Sequence, residues 1–217
     1  MCGNGIRCFA RYIKDRGILT THQFKVETLA GCIVPEILAS DADGRQVRVD
    51  MGVPILRPHD IPFVDSALTA DQVQNHVIEA LGTQIPVTAV SMGNPHCMIF
   101  QDDLEQRLDP AVYGPAVETH PVFPEKTNVE FMEILDCNTA KVTVWERGCG
   151  FTLACGTGAC ASAVAAVLNG KTEPVVDIIL PGGTLKIEWE QASSGHVFMT
   201  GPADYVFEGV VTIPETL

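Results

Sequence analysis

Long apolar runs are missing from this 217-residue sequence, and so is any Cys-x-x-Cys pair. No stretch approaches the ~20 consecutive apolar residues that a membrane-spanning helix requires. Basic residues are scarce: 14 Lys and Arg stand against 27 Asp and Glu, a formal charge of −13. Such a surface disfavours nucleic acid and anionic membranes as partners. It leaves a small-molecule pocket free to carry local charge of either sign. Without Cys-x-x-Cys, a structural zinc site of the usual spacing is not expected. The opening Met1-Cys2-Gly3-Asn4 has neither the basic nor the apolar region of a secretory signal. The eight cysteines, at 2, 8, 32, 97, 137, 149, 155 and 160, are therefore expected as free cytosolic thiols rather than disulfides.

What is present is strand-rich. Apolar residues 6, 9, 10 and 13 fall at helical spacing, which predicts a helix from Asn4 to Arg16 stopped by Gly17. Phe24–Thr28 and Val47–Met51 alternate as strands, with turn chemistry at Asp41–Gly44 between them. Three prolines within 53–62 suggest a crossing between lobes. Strands are predicted at 88–92, 97–101, 128–135, 141–145, 175–180, 185–189, 197–200 and 205–213. The Ala- and Val-rich run from Cys155 to Leu168 has few polar residues and reads as a buried helix ended by Asn169-Gly170. One helix per half among many strands argues for an α+β fold.

Two segments carry the same short pattern: Cys2-Gly3-Asn4-Gly5 and Cys155-Gly156-Thr157-Gly158, each opening a helical run. Repetition suggests two related half-structures facing each other. A thiol at a helix N-terminus sits where backbone N–H groups and the helix dipole stabilise a thiolate. The flanking glycines let the backbone approach a ligand, and successive N–H groups form a nest suited to a carboxylate. Either cysteine alone would read as a small buried residue, but the pair with matching flanks argues for acid–base chemistry across one pocket. Glu146-Arg147-Gly148 places an acid and a base at a strand end, suited to an amino acid's charged groups and also to a surface ion pair. His96 shares its turn with Asn94, in Gly93-Asn94-Pro95-His96. A rival reading takes Gly156-x-Gly158-x-x-Ala161 as a dinucleotide fingerprint with Asp177 downstream. Against it, Glu146–Phe151 intervene between the preceding strand and the glycines, and Asp177 falls inside its own strand.

In this order, Cys2-Gly3-Asn4-Gly5-Ile6-Arg7-Cys8, Gly93-Asn94-Pro95-His96, Asn128-Val129, Glu146-Arg147-Gly148 and Ala154-Cys155-Gly156-Thr157-Gly158-Ala159-Cys160 together resemble the diaminopimelate epimerase family. The resemblance implies two similar lobes, each a curved, mostly antiparallel sheet around a central helix, with the active site in the cleft. It implies epimerisation of LL- to meso-diaminopimelate for lysine biosynthesis, with no cofactor and no metal. Carried over by motif, Cys2 and Cys155 are the two acid–base thiols. Gly3, Asn4, Gly156 and Thr157 hold the reacting carboxylate, Asn94 and Asn128 bind substrate through their amides, and Glu146 and Arg147 grip charged groups at a substrate end. His96, with Glu146, tunes the thiols. The resemblance also implies a cytoplasmic homodimer (plastid if the source is a plant or alga).

The same resemblance predicts an incomplete first lobe, because in the family the first motif follows a substantial stretch of sheet and here it follows Met1. Residues 1–60 would be the remnant of that lobe, with strand 205–217 returning to it, and residues 61–204 the second lobe. Cys149 stands where a small residue is expected, and Phe151, where an acid is common, would make the approach to Cys155 more apolar. Alternatives are a proline-type racemase or related isomerase of the same fold, and an inactive fragment that retains the motifs.

Overall fold

The structure, a computed structural model, describes residues 2–29, 31–39, 45–103 and 105–212. Helix α1 spans Gly3–Asp15, with Cys2 as its N-cap. Only one stripe of it is covered: Ile6 and Ala10 pack on Ile37, Val47, Val49 and Ala203. Phe9 and Tyr12 on the other stripe are exposed. Helix α3, Gly156–Leu168, is the opposite case, and every residue from Gly156 through Ala166 is buried. A helix apolar all round belongs in the centre of a core, and there it lies. Helix α2, Pro110–Glu118, was not foreseen; Asp109 caps it and Pro110 occupies its first turn, where a missing N–H costs nothing.

The strands are β1 (Val26–Thr28), β2 (Gly31–Ile33), β3 (Pro35–Ile37), β4 (Gln46–Asp50), β5 (His76–Ala80), β6 (Thr83–Ser91), β7 (Pro95–Phe100), β8 (Asn128–Asp136), β9 (Thr139–Glu146), β10 (Gly150–Thr152), β11 (Val175–Leu180), β12 (Gly183–Trp189) and β13 (Val197–Pro202). Eleven of them form one sheet in the order β3-β4-β13-β12-β11-β9-β8-β7-β6-β5, with β10 added to β9. Two neighbouring pairs, β7–β8 and β9–β11, are parallel, and the rest of the sheet is antiparallel. The sheet wraps α3, which contacts β6 through β9 and β11 through β13. Alternation sorts the strand residues: Met98, Phe100 and Met132 point to the α3 core. Cys97, Ile99, Val129 and Phe131 point to a second core under Phe63, Phe123 and Val117 of α2. No helix among the described residues is long and apolar enough to cross a membrane.

The expected α+β class holds, as do most strand positions. The C-terminal strand does not form: residues 205–212 have no strand structure, and Val206, Phe207 and Val210 are exposed. Strand β4 is interior to the sheet, paired with β3 on one side and β13 on the other. Residues 213–217 of that predicted strand, and the Asp41–Gly44 turn, lie outside the described residues.

Candidate active site

The Cys-Gly-x-Gly repeat becomes a repeated helix cap. Cys2 and Cys155 both hold extended backbone conformations, φ/ψ −100/104 and −122/112 degrees. Each sulfur accepts a hydrogen bond from the N–H three residues on, Gly5 to Cys2 Sγ and Gly158 to Cys155 Sγ, both at 3.4 Å. Each carbonyl takes the following N–H, from Ile6 and Ala159. The first-turn N–H groups of Gly3, Asn4, Gly156 and Thr157 have no carbonyl a turn earlier to bond.

The two caps are brought together by the glycines that follow the thiols. A Cβ on Gly156 would lie 3.5 Å from Gly3 Cα, and one on Gly3 would lie 2.6 Å from Met199 Cε. The N-termini of α1 and α3 therefore abut, and a side chain at either glycine would press on Met199 between them. Between them opens a cleft of about 240 Å³ lined by Cys2 to Asn4 on one side and Ala154 to Thr157 on the other. Asn94 and Glu146 close its rim. Asn4 Nδ2 donates to Ala154 O across the cleft at 3.4 Å, leaving Asn4 Oδ1 buried with no partner among the described residues. A hollow of about 480 Å³ shares Thr157 with this cleft and runs between Asp50–Val53 and Met92–Gly93. Another hollow, about 630 Å³ beside Arg107 and Tyr113, holds no thiol and lies away from both motifs.

Three predicted site residues do not line the cleft. Asn128 is buried with its amide spent on the protein: Nδ2 donates to Pro95 O, and Oδ1 accepts from Arg147 N–H at 2.8 Å. Arg147 directs its guanidinium outward, donating to Glu125 O at 2.8 Å. His96 is not in a turn but in β7, opposite Asn128 of β8, and is fully buried. Phe151 also departs from expectation. It packs edge-on against Trp145, with ring centroids 5.1 Å apart, and is half exposed. It therefore covers Trp145 rather than the approach to Cys155.

The electrostatics of Cys155 run against the thiolate stabilisation expected at this helix N-terminus. Burial pushes Cys155 up to about 11, and the carboxylates of Glu130 and Glu146 add to the rise. The hydrogen bonds from Thr157 and Gly158 oppose it and lose. Glu130 was not singled out from the sequence. Its Oε1 lies 2.7 Å from His96 Nδ1, and both residues are 0% exposed. A signal was available: Glu130 occupies an inward position of β8 between Asn128 and Met132, where alternation calls for an apolar residue. Glu118 was missed as well. From the end of α2 it accepts from Trp145 Nε1 at 2.8 Å and from Gly148 N–H at 3.0 Å, bracing the turn that carries Arg147.

Comparison with known proteins decides the family. The sequence description of the family "Diaminopimelate epimerase" matches residues 1–56 and 88–206. The chain belongs to the diaminopimelate epimerase family. It is 52% identical over 211 residues to the diaminopimelate epimerase of Desulfitobacterium hafniense, covering 97% of this chain and 72% of that one. To that of Desulforapulum autotrophicum it is 51% identical over 216 residues, covering 98% and 74%. Among solved structures it resembles a probable proline racemase from Agrobacterium radiobacter, with a TM-score of 0.66 at 16% identity, covering 100% of this chain and 69% of that one. It also resembles a Bacillus anthracis phenazine biosynthesis protein of the PhzF family, with a TM-score of 0.65 at 17% identity, covering 98% and 76%. These two likenesses establish the fold, and the family members establish the isomerase class.

Proposed function

We propose that this chain epimerises LL-diaminopimelate to meso-diaminopimelate by two-thiol acid–base catalysis, with Cys2 and Cys155 on opposite faces of the α-carbon. The observation that supports this most is the pair of matched cysteine caps facing one cleft across the Gly3–Gly156 contact. Removing an α-proton from an amino acid is difficult because the carbanion is poorly stabilised. The first-turn N–H groups of Gly3, Asn4, Gly156 and Thr157, which line one cleft, are assigned to the substrate carboxylate. Fixed donors there stabilise the charge that develops as the C–H bond breaks. One thiolate takes the proton, and the opposite thiol delivers another to the other face. The two sulfurs therefore act in opposite protonation states and titrate as a pair.

Asn94 and Glu146, at the rim, are assigned to the substrate's polar groups. Asn128 acts by fixing the Arg147 backbone to the Pro95 carbonyl, and Arg147 reaches a substrate end by leaving its Glu125 contact. His96 acts on the thiols from beneath. The family resemblance also carries a homodimer and a cytoplasmic location. A first lobe within residues 1–60 and a second within 61–204 are assigned from the family resemblance, with Ala203 shared into the α1 core.

The test is deuterium wash-in at the α-carbon of LL-diaminopimelate in D2O with reductant, followed by proton NMR. Exchange that Cys155→Ala abolishes is the expected result. No exchange from folded wild-type protein would overturn the proposal in favour of an incomplete enzyme. Exchange on proline but not diaminopimelate would move the assignment to the racemase branch of the fold.

A further inference from the structure

Beneath the first turn of α3 lies a buried acid that the motif residues leave unexplained. His96 and Glu130 stand on adjacent parallel strands, in register positions that face the same core as Met98 and Met132. That core is the one α3 fills, so the pair sits directly under the helix. The position a Cβ would take on Gly158 is 2.8 Å from Glu130 Oε1 and 3.3 Å from Cys155 Sγ. The carboxylate and the thiol thus converge on one point, and the absence of a side chain at Gly158 is what allows it.

A fully buried carboxylate persists only when paired and hydrogen-bonded. Here one oxygen has the imidazole, while Glu130 Oε2 and His96 Nε2 have no partner among the described residues. Burial raises the Glu130 carboxyl while its contact with His96 Nδ1 lowers it, and in its ionised form Glu130 places negative charge beside the Cys155 cap. Other titratable groups facing Cys155 are Glu146 from β9, Cys160 on its own helix, and Cys2 across the cleft. Arg7 of α1, whose charge acts on Cys160 of α3, donates from Nη1 to Gly3 O at 3.2 Å and from Nε to Pro202 O.

We propose that Glu130, braced by His96, is a positioning residue that keeps Cys155 protonated in the resting enzyme. Cys155 then enters the reaction as the proton donor, and the base must come from Cys2. In the step, the substrate C–H bond breaks as an S–H bond forms on Cys2. The Cys155 S–H bond breaks as a new C–H bond forms on the opposite face. Water then carries one proton from Cys2 back to Cys155 to restore the starting state. The role presupposes the epimerase reading, but its test needs no turnover.

The experiment is site-resolved alkylation of the whole chain by iodoacetamide across pH 6 to 11, with peptide mass spectrometry reading the rate at Cys155. Wild-type protein should give a midpoint above about 9.5, against about 8.5 for an ordinary thiol. Glu130→Gln should lower that midpoint by about one pH unit or more by removing the like charge. Glu130→Asp, which keeps the charge, should stay close to wild type. A wild-type midpoint below about 9.5 overturns the proposal even if Glu130→Gln does not fold. So does folded Glu130→Gln with an unshifted midpoint, or equal shifts in the Gln and Asp variants, which would mark a purely structural role. Absence of deuterium wash-in with the alkylation pattern intact would fault the epimerase reading and leave the charge arrangement standing.

Discussion

A methyl group at Gly158 would meet Glu130 Oε1 at 2.8 Å and Cys155 Cβ at 3.2 Å. In an ordinary helix, Gly→Ala stabilises by about 0.5–1 kcal/mol through lost chain entropy. Here the overpacking penalty of about 1–3 kcal/mol wins, because the obstacle is a buried, hydrogen-bonded carboxylate that cannot move aside. Gly158→Ala should therefore lower the thermal midpoint and cut wash-in activity by at least tenfold, with both read on one preparation. A rise in melting temperature with activity intact would contradict it. At this scale the sequence was legible where chemistry repeats. Cys2 and Cys155 with their glycines could be picked out because one pattern occurs twice. Glu130 could not be reached by the same route, since its meaning depends on which face of β8 it occupies. Nor could burial of Cys155 be weighed against its cap, because the desolvation comes from strands remote in sequence.

Helix α2 and the β9–β10 turn form the next unit up. Glu118 joins them through Trp145 and the Gly148 N–H, and Gly114 of α2 packs flat on Trp145, where a Cβ would fall 2.6 Å from Cγ of the indole. Replacing Glu118 by Ala removes the partner of a partly buried indole N–H and of a turn N–H, at a cost of about 1 kcal/mol. If this turn presents Arg147 to substrate, Glu118→Ala should raise KM severalfold with a smaller effect on kcat. Steady-state kinetics over a diaminopimelate concentration series would show it. An unchanged KM would mean that the turn is only scaffold. Sequence patterning missed α2 because its nine residues include Pro110 and Pro115, and proline reads as a breaker until its place relative to the cap is known. It anticipated α3 because a run apolar on all sides has few other uses.

Three thiols lie in the interior of the whole molecule. Burial raises Cys97, Cys155 and Cys160 above the ordinary thiol range, Cys155 to about 11. In the unfolded chain each titrates near ~8.5. Below that value both states hold their protons and this stabilisation is complete. As pH rises from about 8.5 towards 11, the unfolded chain releases protons that the folded chain retains, so folding stability falls. The loss is up to about 1.4 kcal/mol per pH unit for each such thiol. Thermal melts between pH 8 and 10.5 should show a steady decline that is shallower in a Cys97→Ala, Cys160→Ala double variant. Parallel declines in the two proteins would refute this origin. The class of fold could be read from strand-rich patterning, but the order of strands could not. Nothing local to 197–202 shows that β13 will lie between β12 and β4.

That placement also governs how the cleft can open. Strand β13 is bonded to β12 on one side and to β4, from Phe198–Asp50 to Pro202–Gln46, on the other. The half carrying Cys2 and the half carrying Cys155 are thus leaves of one continuous fabric. Moving them apart as rigid blocks would tear a five-residue seam of backbone hydrogen bonds. Parting the two caps is then a matter of flexing along that seam, like a book opened at a sewn spine, and the seam's stiffness sets how far the two sulfurs can part.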